Sequence, residues 1–287
     1  MDLSASALPL SSIAVARSFA PEDSPYEAVM VDVTHRCNMT CANCYLPNRV
    51  IPDMDAQWLS SILARLPRGT FIRLTGGEAT LRHDLPDIIR DVRRHGHHPV
   101  LLTNGLKLAD RAYVRELKRA GLQVTYLSFS GGFDDDLYES IDEMRCADRK
   151  RLALENLRAE HMFTSLGMIL IRGVNEHEVK NVWAAVRKAR NVRELHLRSV
   201  GAMGRHMQTV PLTAEEMFEV FCRAAEVTPD AIDLRERSAS ADEFFFGRVH
   251  VQMTEWPALG SGIRGRLTPE GLVAPFMEHV IANDGGY

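Results

Sequence analysis

From residue 28 onward the chain alternates between short apolar or β-branched runs and longer stretches whose apolar residues recur at helical spacing. The runs AVMVDV (28–33), FIRL (71–74), HPVLLT (98–103), VTYLSF (124–129), FTSLGMILI (163–171) and ELHLRSV (194–200) predict strands. Between them, Trp58, Leu59, Ile62, Leu63 and Leu66 predict a helix. So do Leu85, Ile88, Ile89 and Val92, then Val114 and Leu117, then Leu152, Leu154 and Leu157, and finally Val179, Val182, Trp183 and Val186. Strand–helix units in succession imply a parallel sheet with helices outside, and near-continuous apolar strands such as HPVLLT fit burial on both faces. In such a fold the chemistry is expected where the strands end.

The rhythm breaks near residue 210. A capped helix opens at Thr213, with Glu216 completing the box, and continues through MFEVFCRAAE. An alternating stretch, RVHVQM (248–253), and a hairpin in SGIRGRLTPEGLVAPF (261–276), turning at Pro269-Glu270-Gly271, follow. The chain therefore divides into an N-terminal segment 1–25, an α/β unit 26–210 of barrel type, and a small α+β extension 211–287 expected to cover the open face of the barrel. Neither a low-complexity linker nor a repeat of fixed sequence interrupts it.

Composition narrows the functional classes. The 34 Lys and Arg against 38 Asp and Glu leave a net charge of -4, too balanced to predict a nucleic-acid or membrane surface from bulk electrostatics. A local basic mouth stays open, with Arg198, Arg205, Arg264, Arg266, His196 and His250 as candidates to receive a phosphate or carboxylate. The first twenty residues carry Asp2 and apolar residues broken by Ser and Pro, and read as neither signal peptide nor membrane span. A cytoplasmic location is the expectation. The odd count of five cysteines argues against a disulfide framework and for reduced thiols.

Three of those cysteines, Cys37, Cys41 and Cys44, form a C-x3-C-x2-C run in THRCNMTCANCYLP, directly after the first strand. Two soft-ligand readings are open. A structural zinc wants four closed ligands, and His35 supplies a possible fourth. An iron–sulfur cube can be held by three cysteines with its fourth iron open. Cys146 follows the fourth strand in a loop and is read either as a small buried residue or as a hydrogen donor; Cys222, in the rhythm Met217, Phe218, Phe221, Ala225, reads as core.

The pattern VTHRCNMTCANCY, followed one strand later by LTGGEATLRHDL, resembles the radical S-adenosylmethionine (SAM) superfamily, in particular the branch of the molybdenum-cofactor GTP cyclase and the pyrroloquinoline-quinone peptide enzyme. The likeness covers about residues 26–205. It implies a partial (β/α)6 TIM-like barrel, with Cys37, Cys41 and Cys44 ligating three irons of one [4Fe-4S] cluster and SAM chelating the fourth. Gly76, Gly77 and Glu78 match the motif that engages the methionyl amino group: glycines let a backbone come close, and a carboxylate answers an ammonium. Asn104 and Ser128 lie where the family contacts the ribose and methionyl carboxylate. Arg145, in MRC, falls where relatives show Ile-Arg-Gly, and Asn175 and Arg198 stand near the expected adenine, Asn175 being read equally as a helix cap.

The departures from the family pattern are specific. Asn43 stands where an aromatic residue is common, the aromatic here being Tyr45, and Ser130 replaces an Asp. In the C-terminal hairpin Ser261 and Phe276 occupy places where relatives carry auxiliary-cluster cysteines, so a single cluster is expected.

The resemblance implies an enzyme that cleaves SAM reductively to a 5′-deoxyadenosyl radical, which abstracts a hydrogen atom from a small-metabolite substrate in a biosynthetic pathway. A flavodoxin- or ferredoxin-like electron donor is the implied partner. Two alternatives accompany it: a peptide-modifying radical SAM enzyme, and a non-catalytic metal-binding protein on the same fold.

Overall fold

The computed structural model describes residues 18–42, 44, 46, 50–200, 209–232, 243–255 and 264–275. Six strands, β1 (Ala28–Thr34), β2 (Phe71–Gly76), β3 (His98–Thr103), β4 (Val124–Ser128), β5 (Phe163–Leu170) and β6 (Val192–Ser199), fall where the apolar runs predict them. The helices between them are α1 (Ala56–Leu63), α2 (Leu85–Arg94), α3 (Arg111–Ala120), α4 (Asp135–Asp142), α5 (Ala147–Ala159) and α6 (Val179–Lys188). Side-chain caps begin three of them: Asp55 accepts from the Trp58 amide, Asp110 from Ala112, and Asp134 from Asp136 and Leu137. The predicted capping box of Thr213 and Glu216 opens α7 (Ala214–Ala225), with both of its hydrogen bonds present.

One helix escapes the sequence pattern. Helix α4 (DDLYESID) buries only Tyr138 and Ile141, so its apolar stripe is too sparse to register as a period. Leu152 also departs from expectation. It is exposed on α5, and Ala153 takes the core position beside Leu154 and Leu157.

Strands β1 to β6 pair in sequence order, all parallel. The remaining strands are β7 (Glu243–Phe246), β8 (Val249–Thr254), β9 (Arg264–Leu267) and β10 (Val273–Pro275). The expectation that 211–287 covers the open face falls partly on residues 233–242, 256–263 and 276–287, outside the described residues. The described strands of this extension continue the sheet at both edges, β8 parallel to β6 and β9 parallel to β1, with β7 and β10 closing the ends antiparallel. The predicted hairpin is present between β9 and β10, with the Thr268 amide donating to Leu272 O at 2.8 Å across the turn. Ser261 and Phe276 lie outside the described residues, as do Asn43, Tyr45 and Arg205.

The result is a partial barrel. Val29, Val31 and Val33 of β1 and Ile72 and Leu74 of β2 join Leu59, Leu63, Ile88 and Ile89 of α1 and α2 in one continuous core. The alternate positions face the other way and are far more polar than the sequence led us to expect: Asp32, Arg73, Thr75, Tyr126, His196, Arg198 and Arg266 share the inner face. Among the described residues no helix is long and apolar enough to cross a membrane.

Candidate active site at the carboxyl ends of the strands

The cysteine run leaves β1 as a loop whose two ends are tied together. Thr34 Oγ1 donates to Asp53 Oδ1 at 2.6 Å and accepts from the Arg36 amide at 3.1 Å. The Arg36 guanidinium forks onto the same carboxylate, and that hydrogen bonding holds the Asp53 carboxyl below its ordinary range. The Met54 amide returns to Val33 O at 3.0 Å. Arg82, four residues beyond the Gly-Gly-Glu motif and buried, donates from Nη1 to Val33 O at 2.8 Å and to Met54 O at 2.6 Å, while Asp84 holds its Nε. One guanidinium therefore clasps both ends of the cysteine loop, a role with no signal in the sequence beyond an Arg shortly after that motif. Arg82→Met leaves two carbonyls without a charged donor, at about 1.5–3 kcal/mol for each bond lost. A lower melting temperature and less iron bound per chain are expected; unchanged iron content would contradict the clasp.

Within the loop, Cys37, Cys41 and Cys44 are half-buried, and the Cys44 amide turns back onto Cys41 O at 3.2 Å. The Ala42 amide donates to Ile141 O at 3.0 Å, which seats the loop on α4. Cys37 and Cys41 pack against a small apolar cluster of Met39, Leu106, Tyr138, Cys146 and Ala147. Burial, then the Asp142 carboxylate, then the two neighbouring sulfurs push the Cys41 thiol up, because each disfavours another negative charge there. That is the environment a cationic iron core relieves on binding. Among the described residues no three His, Cys, Asp or Glu side chains form a single-ion site. A cube asks for a different arrangement, each thiolate on its own iron.

The Gly-Gly-Glu shelf lies against the start of this loop. A Cβ on Gly76, whose φ is +125°, would stand 2.0 Å from Thr34 O, and one on Gly77 would stand 2.3 Å from Arg36 O. The Gly77 amide donates to Thr34 O and the Glu78 amide to Arg36 O, both at 2.8 Å. The sequence assigned these glycines to the approach of a ligand; in the structure the backbone that approaches is the chain's own. Glu78, 1% exposed, accepts at Oε1 from the Thr80 amide (3.1 Å), Thr80 Oγ1 (2.6 Å) and Thr103 Oγ1 (2.7 Å), and at Oε2 from the Asn104 amide (2.7 Å). Asn104 Nδ2 in turn donates to Asn38 Oδ1 at 2.9 Å. The motif, the end of β3 and the cysteine loop are thus one hydrogen-bonded unit.

The other sequence candidates scatter. Ser128 is exposed at the end of β4, and its carbonyl accepts from Lys150 Nζ at 2.8 Å. Ser130 is buried, its Oγ accepting from the Ile169 amide at 3.1 Å. Asn175 is neither exposed nor a side-chain cap: it accepts from the Ile171 amide and donates to Ser130 O and Ile169 O, each at 2.8 Å, bracing the ends of β4 and β5. Arg145 is exposed and paired with Asp136 and Glu139 of α4, whose carboxylates raise its pKa. Cys146 is buried behind the cysteine loop, and burial pushes its thiol up to about 11, so it stays protonated at neutral pH. Cys222 lies in the core, as its spacing predicts.

On the inner face the structure brings Arg198 and His196 of β6 toward Arg264 of β9, and adds a residue the sequence reading missed, Arg73 of β2. Burial, then Arg264, with Arg198 contributing, lowers the Arg73 guanidinium to about 10. Arg73 lies 5.8 Å over the Tyr126 ring, and its Nε is buried without a hydrogen-bond partner among the described residues. An arginine at an inward position of an apolar strand, FIRL, was the available signal. His196 bridges Tyr126 and Thr254, and burial beside these arginines holds it neutral. Arg266 differs from the expectation of a basic mouth: it is 1% exposed, and its Nε (2.8 Å) and Nη2 both donate to one oxygen of Asp32, Oδ2, joining β9 to β1.

A partial parallel barrel with a tethered three-thiol loop above its first strand and a Gly-Gly-Glu shelf beside it defines a class of iron–sulfur barrel proteins. The sequence profile of the radical SAM superfamily matches residues 31–185, more than half of the chain, and the chain belongs to that superfamily. It is 33% identical over 162 residues to a 7,8-dihydro-6-hydroxymethylpterin dimethyltransferase of Methanocaldococcus jannaschii, covering 53% of this chain and 32% of that protein. It is 25% identical over 236 residues to a probable GTP 3',8-cyclase of Pyrococcus abyssi, covering 80% of this chain and 75% of that one. The chain thus spans about a third of the dimethyltransferase's length. The fold matches that of Streptococcus suis SuiB bound to S-adenosylmethionine with a TM-score of 0.62 and 13% identity, covering 88% of this chain and 61% of SuiB. The superfamily's cofactors are a [4Fe-4S] cluster and SAM. The residues present fit them: three half-buried thiols lie on one tied loop, and Glu78 Oε2 has a single donor among the described residues, leaving it capacity for an ammonium.

Proposed function

We propose that this chain cleaves SAM reductively and abstracts a hydrogen atom from a small anionic metabolite held on the inner face of the barrel. The cofactors, when bound, supply one-electron cleavage of a carbon–sulfur bond and with it the hydrogen-abstracting radical. Cys37, Cys41 and Cys44 hold the irons. Gly76, Gly77 and Glu78 position the methionyl amino group, Asn104 and Ser128 are candidate contacts of the ribose and methionyl carboxylate, Arg198 of the adenine, and Arg145 is a further candidate for the cofactor. Arg73, Arg198 and Arg264 bind and orient the substrate anion. Cys146 is the candidate to return a hydrogen atom to a product radical, and the electron comes from a flavodoxin- or ferredoxin-like donor.

The observation that carries the substrate class is Arg73. A half-buried guanidinium whose Nε is orphaned among the described residues, beside two further arginines and only the Glu194 carboxylate to offset them, costs free energy that an anion relieves. The likeness to SuiB, at 13% identity, is one of fold and brings no substrate with it.

The test is anaerobic. Protein reconstituted with iron and sulfide is given dithionite and SAM, and 5′-deoxyadenosine is read by mass spectrometry; it is expected from the wild type and absent from Cys41→Ala. In parallel, pyrophosphate and citrate serve as anion probes in a melting assay. Both are expected to raise the melting temperature of the wild type and not that of Arg73→Gln. An equal rise in the two proteins would remove the anion site. No 5′-deoxyadenosine from fully iron-loaded protein, with either probe present, would remove the radical reading.

A further inference from the structure

Lys150, on the first turn of α5, is fully buried at 0% exposure, which is rare for a lysine. Its Nζ donates to Ser128 O at 2.8 Å and lies 5.0 Å from the centre of the Tyr138 ring. Among the described residues no carboxylate oxygen comes within 4.0 Å of it, since it takes part in none of their ion pairs.

The nearby acids have other work. Asp135 accepts from the Ala147 amide at 2.8 Å, and Asp142 bonds the Cys41 thiol. Glu178 accepts from the Phe133 amide at 2.8 Å and from Asn181 Nδ2 at 2.7 Å.

A buried ammonium held by one carbonyl and a ring face has no direct ion-pair partner among the described residues; Asp135, Asp142 and Glu178 act on the same cluster only at longer range, and a buried charge so held is costly. Its surroundings say where compensation comes from. Tyr138, the ring beneath it, belongs to the small cluster on which Cys37 and Cys41 pack. The Tyr138 hydroxyl is itself buried without a hydrogen-bond partner among the described residues. Cys146 of the same cluster is near enough for the Lys150 charge to bias its thiol. Cation, ring and cysteine loop are therefore contiguous.

We propose that Lys150 is a built-in counter-charge for the iron–sulfur cluster, placed under the thiolate loop to favour its reduced state. The proposal rests on the reading of Cys37, Cys41 and Cys44 as cluster ligands. Three thiolates outweigh the positive charge of an oxidised cluster core, and one-electron reduction adds further negative charge. A fixed cation in a low-dielectric surround stabilises the more negative state. Lys150 is a positioning and tuning residue in this scheme and touches no reacting atom.

The experiment is a redox titration of the reconstituted protein without SAM, dithionite supplying the one electron per cluster and electron paramagnetic resonance reading the reduced fraction. Lys150→Met, and Lys150→Gln, which keeps a donor for Ser128 O, are expected to disfavour reduction about tenfold, a midpoint about 59 mV more negative. Lys150→Arg is expected to stay near the wild type. Melting of the metal-free proteins is the second readout. Removing a buried charge that has no direct ion pair should leave metal-free Lys150→Met as stable as the wild type or more so.

Either of two results would overturn the proposal. One is a wild-type midpoint in both uncharged variants at full iron content; the other is a metal-free Lys150→Met that melts well below the wild type, which would make the ammonium a support of the fold alone. Iron and sulfide are counted first in the wild type, where their absence would instead remove the cluster reading.

Discussion

Replacing any one of Cys37, Cys41 and Cys44 by alanine is expected to abolish the iron–sulfur cluster. The three thiols sit on one loop, and no fourth cysteine is placed to substitute. Cys222 is locked in the core of α7. Cys146 is 3% exposed, packed among Met39, Leu106, Tyr138 and Ala147 and far from the tied loop in sequence, with its thiol held protonated by burial. Metal ligation by a site that forms only in the folded chain is worth on the order of 10 kcal/mol, so losing one of three protein ligands should move the equilibrium by orders of magnitude. Iron and sulfide per chain, with the brown chromophore, check it. Cys222→Ala serves as the control and should load normally, and full iron in any of the three loop variants would contradict the assignment.

Gly76→Ala should have the next largest effect, although glycine 76 carries no functional group. Its φ of +125° lies in a region that alanine enters at about 1–3 kcal/mol, and the new Cβ would meet Thr34 O at 2.0 Å. Neither atom can yield, because Thr34 O accepts the Gly77 amide and Thr34 Oγ1 is bonded to Asp53. Overpacking of a fixed backbone adds about 1–3 kcal/mol. The sum, about 3 kcal/mol or more, corresponds to about a hundredfold shift between seated and displaced loop. The expected outcome is a folded protein that binds little iron, with far-ultraviolet circular dichroism close to wild type. Normal iron content in Gly76→Ala would show that the shelf does not set the loop.

Much of the barrel was legible because it is locally encoded. The six strands and the helices that follow five of them are each marked by their own apolar periodicity, and the Thr213 helix by its cap. Helix α4 was not, since two buried residues in eight make no stripe. The strands after residue 243 were recognisable as strands but not by their partners. RVHVQM alternates as a half-buried strand must, yet nothing in it says that it will lie parallel to β6.

The site divides along the same line. The sequence by itself determined where the chemistry lies: a three-thiol loop at the end of the first strand and a Gly-Gly-Glu turn at the end of the second, both short-range patterns whose meaning needs only their neighbours in the chain. Tertiary structure alone decided what those residues touch. Glu78 became the anchor of Thr80, Thr103 and Asn104, Arg82 the clasp of a loop 28 residues away, and Arg266 the partner of Asp32 across 234 residues. Arg73 and Lys150, unremarkable as letters, acquired their significance from where the fold puts them, each without an ion pair among the described residues. The physical reason is that a polar group's free energy depends on what replaces its water, and the replacement comes from segments that only the folded sheet makes neighbours.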